Sequence, residues 1–239
     1  MIDRKRAART RAGLGLRTPG LKGLARAAAL AVAVTATALA PFGGGEAVAA
    51  RPQAAEISGE ERAAIVRIEQ YLNAMSTVQA RFLQASSNGQ LAEGNLYISR
   101  PGRLRIEYDP PVPVLIVADG RWLIYYDKQL EQVSHLPLRS TPASILTRPN
   151  ISLTGGDLIL TDFERGGGVL RVTLVQADDP YAGKVSLIFD ENPMALRKWS
   201  VVDAQGIVTD VSLTAARFDV PIDRDLFRFR DPRIFKDGY

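Results

Sequence analysis

Histidine, cysteine and paired carboxylates are the side chains that most often carry chemistry, and this chain is short of all three. His135 is the only histidine and there is no cysteine. That argues against a zinc site, a Cys–His pair, or a Ser-His-Asp triad with a second supporting histidine. His135 stands beside Leu136-Pro137, where a half-exposed imidazole at a strand end needs no catalytic role. Gly166-Gly167-Gly168 would cradle a phosphate only in front of a helix; the flanking residues alternate like two strands, so it reads as a turn. Asp178-Asp179 and Asp190-Glu191 lie near Pro180 and Pro193, where a solvated loop is a simpler reading than paired acid–base work. Arg228, Arg230 and Arg233 interleave with Phe227 and Phe229 as on a nucleic-acid surface, but three charges are a weak patch and a solvated edge strand is expected. No catalytic group, metal site, cofactor or nucleotide motif is assigned, and nucleic acid is not an expected partner.

What remains is a binding surface, and the charge distribution limits what it can bind. The formal charge is +4 and the pI about 9.5. Residues 1–49 carry eight of the 30 Lys/Arg and two of the 26 Asp/Glu, which leaves 22 basic and 24 acidic residues, net −2, in the remainder. The basic pI belongs to the leader. That leader has a basic start, an apolar run from Ala27 to Ala40 and an Ala47-Val48-Ala49 site, the pattern of a secretory signal peptide cut before Ala50. The run is shorter than the roughly 20 residues a membrane span needs, and with no cysteine there is no thiol to lipidate. The expected organisation is a signal peptide over 1–49 and one domain over 50–239, exported from the cytoplasm.

The elements that must build the surface are mostly strands. Leu96 and Ile98 share one face of a strand; Leu104, Ile106 and Tyr108 share one face of the next, with Arg103, Arg105 and Glu107 turned to water. Pro101-Gly102 suits a tight reversal between them over Arg100 to Arg103, or equally a longer hairpin loop. Val114 to Ala118, Asp119-Gly120 and Arg121 to Asp127 form a second hairpin, apolar on both faces, so cover is needed on two sides. Ser58-Gly59-Glu60-Glu61 is a capping box opening a helix with Ile65, Ile68, Leu72 and Met75 on one face. Thr141 as N-cap and Pro142 as first residue open a second, short helix that stops near Arg148-Pro149. Further strands bring the count to eleven; the tail from Asp225 to Pro232 has no assigned place. The pattern predicts a mainly β chain, a one-sided antiparallel sheet with two short helices, suited to binding something apolar.

Several runs carry a family resemblance: Phe82-Leu83-Gln84, Gly94 through Tyr108, Pro110-Pro111, Asp119-Gly120, Tyr126-Asp127 and Glu131-Gln132. They resemble the periplasmic outer-membrane lipoprotein carrier family LolA over about residues 60 to 232, most specifically in the G-x-L-x-x-x-R-P run ending in Tyr108. The resemblance implies an incomplete, half-open antiparallel β-barrel of about 11 strands whose short α-helices form a lid in the concave face. It implies a periplasmic chaperone, not an enzyme, acting as a monomer. Such a protein takes acylated lipoproteins from an inner-membrane ABC exporter to an outer-membrane, LolB-like acceptor. Alternatives on the same architecture are an RseB-like sensing module or a LolB-like acceptor itself, although the former carries a second domain and the latter an acylated cysteine. Arg100 matches the family arginine that latches sheet to lid. The hydrophobic cavity is expected to be lined by Leu96, Ile98, Leu104, Ile106, Tyr108, Ile116, Trp122 and Ile124, and the lid helix to contribute Pro142, Ile145 and Leu146. Leu104 and Ile106 stand where the family has larger aromatic residues. A charge at Ile106 should then abolish cargo binding with little loss of fold.

Overall fold

Alternation of apolar and polar residues over successive segments produces the sheet. A computed structural model describes residues 52–234; the leader lies outside the described residues. The strands among them are β1 (Thr77–Ser86), β2 (Leu91–Ser99), β3 (Arg103–Tyr108), β4 (Val114–Asp119), β5 (Trp122–Asp127), β6 (Gln132–Pro137), β7 (Leu158–Gly166), β8 (Val169–Gln176), β9 (Gly183–Glu191), β10 (Met194–Asp203) and β11 (Val208–Phe218). They form one antiparallel sheet in the order β6-β5-β4-β3-β2-β1-β11-β10-β9-β8-β7. Neighbours in sequence are neighbours in space except β6 and β7, and β1 pairs with β11 to join the two halves. The free edges are β6 and β7, and the chain linking them, residues 138–157, carries the short helix α2 (Ala143–Thr147). The barrel is therefore unclosed along one seam.

Helix α1 (Gly59–Ala74) starts at the expected capping box: the Ser58 hydroxyl accepts from Glu61 N, and Ser58 N donates to the Glu61 carboxylate at 2.8 Å. Its Ile65, Ile68 and Leu72 are fully buried in the concave face, among Val78, Leu96, Leu187 and Phe189 from the sheet. Ile145 and Leu146 of α2 join the same cluster. At α2, Pro142 has the helical angles expected of a first helical residue, but the side-chain cap is corrected: the Thr141 hydroxyl turns back to donate to Leu138 O at 2.7 Å instead of capping forward.

Close approach demands glycine at several positions, Gly94 and Gly102 among them. A Cβ on Gly94 would lie 2.1 Å from Glu107 O and 2.7 Å from the Phe82 ring, which packs edge-on against Tyr108 across the empty position. Gly102, at φ +76°, sits so near Gly120 Cα that the β2–β3 and β4–β5 turns touch.

The other face of the sheet departs from expectation. Arg105, assigned to water, is buried: it donates to Leu226 O at 2.9 Å and pairs with Glu107. What covers it is the tail, which is not the expected edge strand, although Arg228, Arg230 and Arg233 on it are exposed. Thr77 Oγ1 donates to Val220 O, a 3₁₀ turn spans Arg224–Phe227 with Phe227 buried, and Phe229 packs edge-on against Tyr126 beside Leu115 and Val117. The second cover for the doubly apolar β4–β5 hairpin is thus this strap, while the helices cover the concave side.

Candidate functional site

Strand pairing decides which side chains share the concave face. Leu96 pairs with Ile106, Ile98 with Leu104, Ile106 with Ile116 and Leu104 with Ala118, so these residues and Tyr108 form one continuous apolar wall. On β5 the face belongs to Leu123 and Tyr125, opposite Ala118 and Ile116. Ile124, opposite Val117, is on the convex side, and Trp122 alternates with Leu123 onto that side too. Their expected place on the concave wall is therefore corrected: where both faces are apolar, hydrophobicity gives no register, and only the ladder partners do.

The wall encloses almost no space. Leu96, Ile98, Leu104, Ile106 and Tyr108 are all buried, and the interior void next to Met75, Arg100, Leu146 and Trp199 measures about 10 Å³, room for one water at most. The expected open cleft is instead a filled core, plugged by α1 and α2. Tyr108 is the polar member of the wall. Its hydroxyl donates to Gln84 Oε1 at 2.8 Å, and burial pushes its pKa far up, so it is a neutral donor.

The two plugs are held differently. Helix α1 inserts Ile65, Ile68 and Leu72, and polar ties add to them: Leu196 N donates to the Tyr71 hydroxyl at 3.1 Å, Arg67 pairs with Glu191 at 2.7 Å, and Asn73 clamps both backbone groups of Ile151 at 2.8 Å. Helix α2 inserts only Ile145 and Leu146. The β2–β3 turn holds its carboxyl end, with Arg100 Nε donating to Leu146 O at 3.1 Å and Gly102 N to Thr147 O at 2.7 Å. A buried aliphatic side chain contributes about 1.5–3 kcal/mol, so withdrawing α2 gives up about 3–6 kcal/mol of apolar burial, and withdrawing α1 half as much again before its ties are counted. The weaker plug is α2. Arg100 is half-buried, and that burial lowers its pKa, partly offset by Asp219; its Nη1 is buried with no hydrogen-bond partner in the closed arrangement.

Beside α2 a cleft of about 390 Å³ opens between Pro142 and Ile145 on one side and Leu174, Val185 and Val201 on the other. These strand residues belong to the concave wall, so the cleft leads to the plugged interior. Neither it nor the strap was visible in the sequence, because both depend on which distant segments meet. Ile145 and Leu146 belong to the same buried cluster as the wall, and Pro142 and Ile145 line the cleft. The arrangement is an apolar interior filled on one side by the short helix α2.

Comparison with known proteins matches the chain to a family model. The family described as "Outer membrane lipoprotein carrier protein LolA" matches residues 73–230. An uncharacterized protein from Rickettsia prowazekii (strain Madrid E) is 26% identical over 168 residues, covering 69% of this chain and 76% of that protein. The outer-membrane lipoprotein carrier protein of Legionella pneumophila (strain Paris) is 30% identical over 176 residues, covering 70% and 85%. Among solved structures, a LolA superfamily protein from Nitrosomonas europaea aligns with a TM-score of 0.42 at 14% identity, covering 69% of this chain and 97% of that one.

Proposed function

This chain belongs to the LolA family, and from that premise we propose that it is a periplasmic carrier that shelters the acyl chains of lipoproteins on their way from the inner to the outer membrane. The observation that carries the reading is the filled apolar concavity whose smaller plug, α2, lies in the loop joining the sheet's two free edges. Exposing an acyl chain to water costs about 0.8 kcal/mol per CH₂. Burying roughly four to eight methylenes against the concave wall therefore offsets the withdrawal of Ile145 and Leu146. Cargo and α2 compete for one surface, so loading opens the lid and release closes it, with no chemical step and no catalytic residue. Arg100 acts as the latch, biasing the empty protein toward closure. Leu96, Ile98, Leu104, Ile106, Tyr108 and Ile116 form the acyl-binding wall.

With no nucleotide motif in the chain, the energy for loading comes from an ATP-driven exporter in the inner membrane, and the cargo passes to an outer-membrane acceptor. The test is a two-step transfer with purified protein: lipoprotein released from inner-membrane vesicles, then delivered to outer membrane. Soluble lipoprotein in complex with the protein after the first step supports the proposal; lipoprotein that stays in the vesicles whatever the protein concentration refutes it.

A further inference from the structure

One end of the half-barrel carries a feature the carrier reading does not use. A groove of about 930 Å³ runs between the touching β2–β3 and β4–β5 turns and α2, lined among others by Pro101, Gly120, Arg121, Trp122, Arg139 and Arg148. Leu138 N donates to Arg121 O at 2.9 Å, which joins the stretch bearing Arg139 to the one bearing Arg121 and Trp122. The state of the three arginines differs. Arg148 is held by Asp157 at 2.6 Å. Arg121 and Arg139 are exposed and make no ion pair among the described residues; the Arg121 guanidinium lies 5.6 Å from the centre of the Trp122 ring. The nearby acid, Asp119, is already used by the turn, accepting from Arg121 N and Trp122 N at 2.8 Å each.

Arg62, Arg217 and Arg224 are likewise exposed without an ion pair among the described residues, but none of them lines this groove, and most other exposed arginines are paired. Arg67 and Arg165 pair with Glu191, Arg81 with Asp109, Arg197 with Asp190 and Arg233 with Asp231. After residue 49 the chain is net acidic. Two acid-free guanidiniums beside a half-exposed indole are therefore a local cationic site on an acidic body, and a wide groove does not converge its donors on a single anion. An indole next to arginines is the composition that suits the headgroup layer of a bilayer, where the ring sits amphipathically and each cation gains from anionic lipid.

We propose that this end of the protein docks on an anionic phospholipid surface, with Arg121 and Arg139 as the charged contacts and Trp122 as the interfacial anchor. Gly102 lines the same groove and donates to Thr147 O at the end of α2. Docking therefore presents the lid to the membrane. The proposal is independent of the cargo: a protein that takes lipoprotein but never touches lipid fails the following test and passes the transfer assay.

Purified protein is sedimented with vesicles of phosphatidylglycerol and phosphatidylethanolamine, or of phosphatidylcholine alone, at low ionic strength. Expected is partition onto the anionic vesicles only, lost as salt is raised, with a blue shift of tryptophan fluorescence that Trp122→Phe removes. Partition should fall about five-fold for each arginine removed, roughly thirty-fold in the Arg121→Gln/Arg139→Gln variant. The control Arg228→Gln/Arg230→Gln removes equal charge elsewhere and should leave binding within about two-fold. Equal binding to both vesicle types, an equal loss in the control, or displacement by inorganic phosphate matched to the lipid phosphate would each overturn the proposal; the last would indicate a site for a single small anion.

Discussion

Removing the Arg100 guanidinium should loosen α2 without unfolding the sheet. In Arg100→Leu the hydrogen bond from Nε to Leu146 O, 3.1 Å long, disappears, and so does the unpartnered Nη1 that folding buries. The two losses act on different equilibria. A hydrogen bond to a charged donor is worth about 1.5–3 kcal/mol, and this one exists only while α2 is docked, so lid opening becomes easier by about 10- to 150-fold. Discarding a half-buried charge returns part of that in global stability, so the midpoint of urea unfolding should move little. The probe is the Gly102 amide, which donates to Thr147 O and exchanges with solvent only when α2 leaves the turn. Hydrogen exchange followed by NMR should show its protection falling by one to two orders of magnitude, while amides in the β8–β9 ladder keep theirs. Arg100→Lys, which keeps the charge but not the guanidinium geometry, should fall between. Protection at Gly102 within a factor of two of the parent would mean that Arg100 does not hold the lid and that α2 is kept in place by Ile145 and Leu146 alone.

Other perturbations test other joints. Gly94→Ala should destabilise the fold by several kcal/mol, since the new Cβ meets Glu107 O at 2.1 Å and the Phe82 ring at 2.7 Å, read as a lowered Tm. Ile106→Glu places a carboxylate in a filled wall and should lower the stability read from urea unfolding by several kcal/mol; native-like stability would mean that the concavity is open in solution. Glu191 is held below the usual carboxylate value by hydrogen bonds from Arg165 and then Arg67. A depressed pKa gives stability that is present above the ordinary value of 4.5 and is lost as pH falls through the lowered one. The Tm of the parent should therefore exceed that of Glu191→Gln at neutral pH, and the gap should close below that value.

The strands were legible because alternation with period two, broken by Pro101-Gly102, Asp119-Gly120 and Gly166-Gly167-Gly168, reports a sheet covered on one side. The capping box at Ser58 announced α1 for an equally local reason. Legibility ended where a segment's fate depends on a distant partner. Arg105 reads as a wet residue until Leu226, 121 positions later, covers it. Trp122 and Ile124 read as cavity-lining although the ladder puts them on the convex side, because β4 and β5 are apolar on both faces and hydrophobicity gives no register. The filling of the concavity is a matter of volume: the sequence shows that α1 and α2 are apolar but not that their side chains occupy all the space the wall encloses. Arg100 was singled out through its resemblance to a family position; its bare sequence context, a turn between two strands, suggested only solvent. The groove with Arg121 and Arg139 needed the β4–β5 turn and the segment after β6 to be brought together, which no local pattern encodes.

The most direct test of the carrier reading is to isolate the protein from the periplasm of cells that make lipoproteins and to identify what accompanies it by intact-mass and peptide mass spectrometry. Acylated lipoproteins should co-purify with the parent protein, in greater yield with Arg100→Leu and in lower yield with a variant whose Leu146 is tied to the wall. Protein that comes away free of acylated partners in all three forms, while the exporter is active and lipoproteins reach the outer membrane, would contradict it.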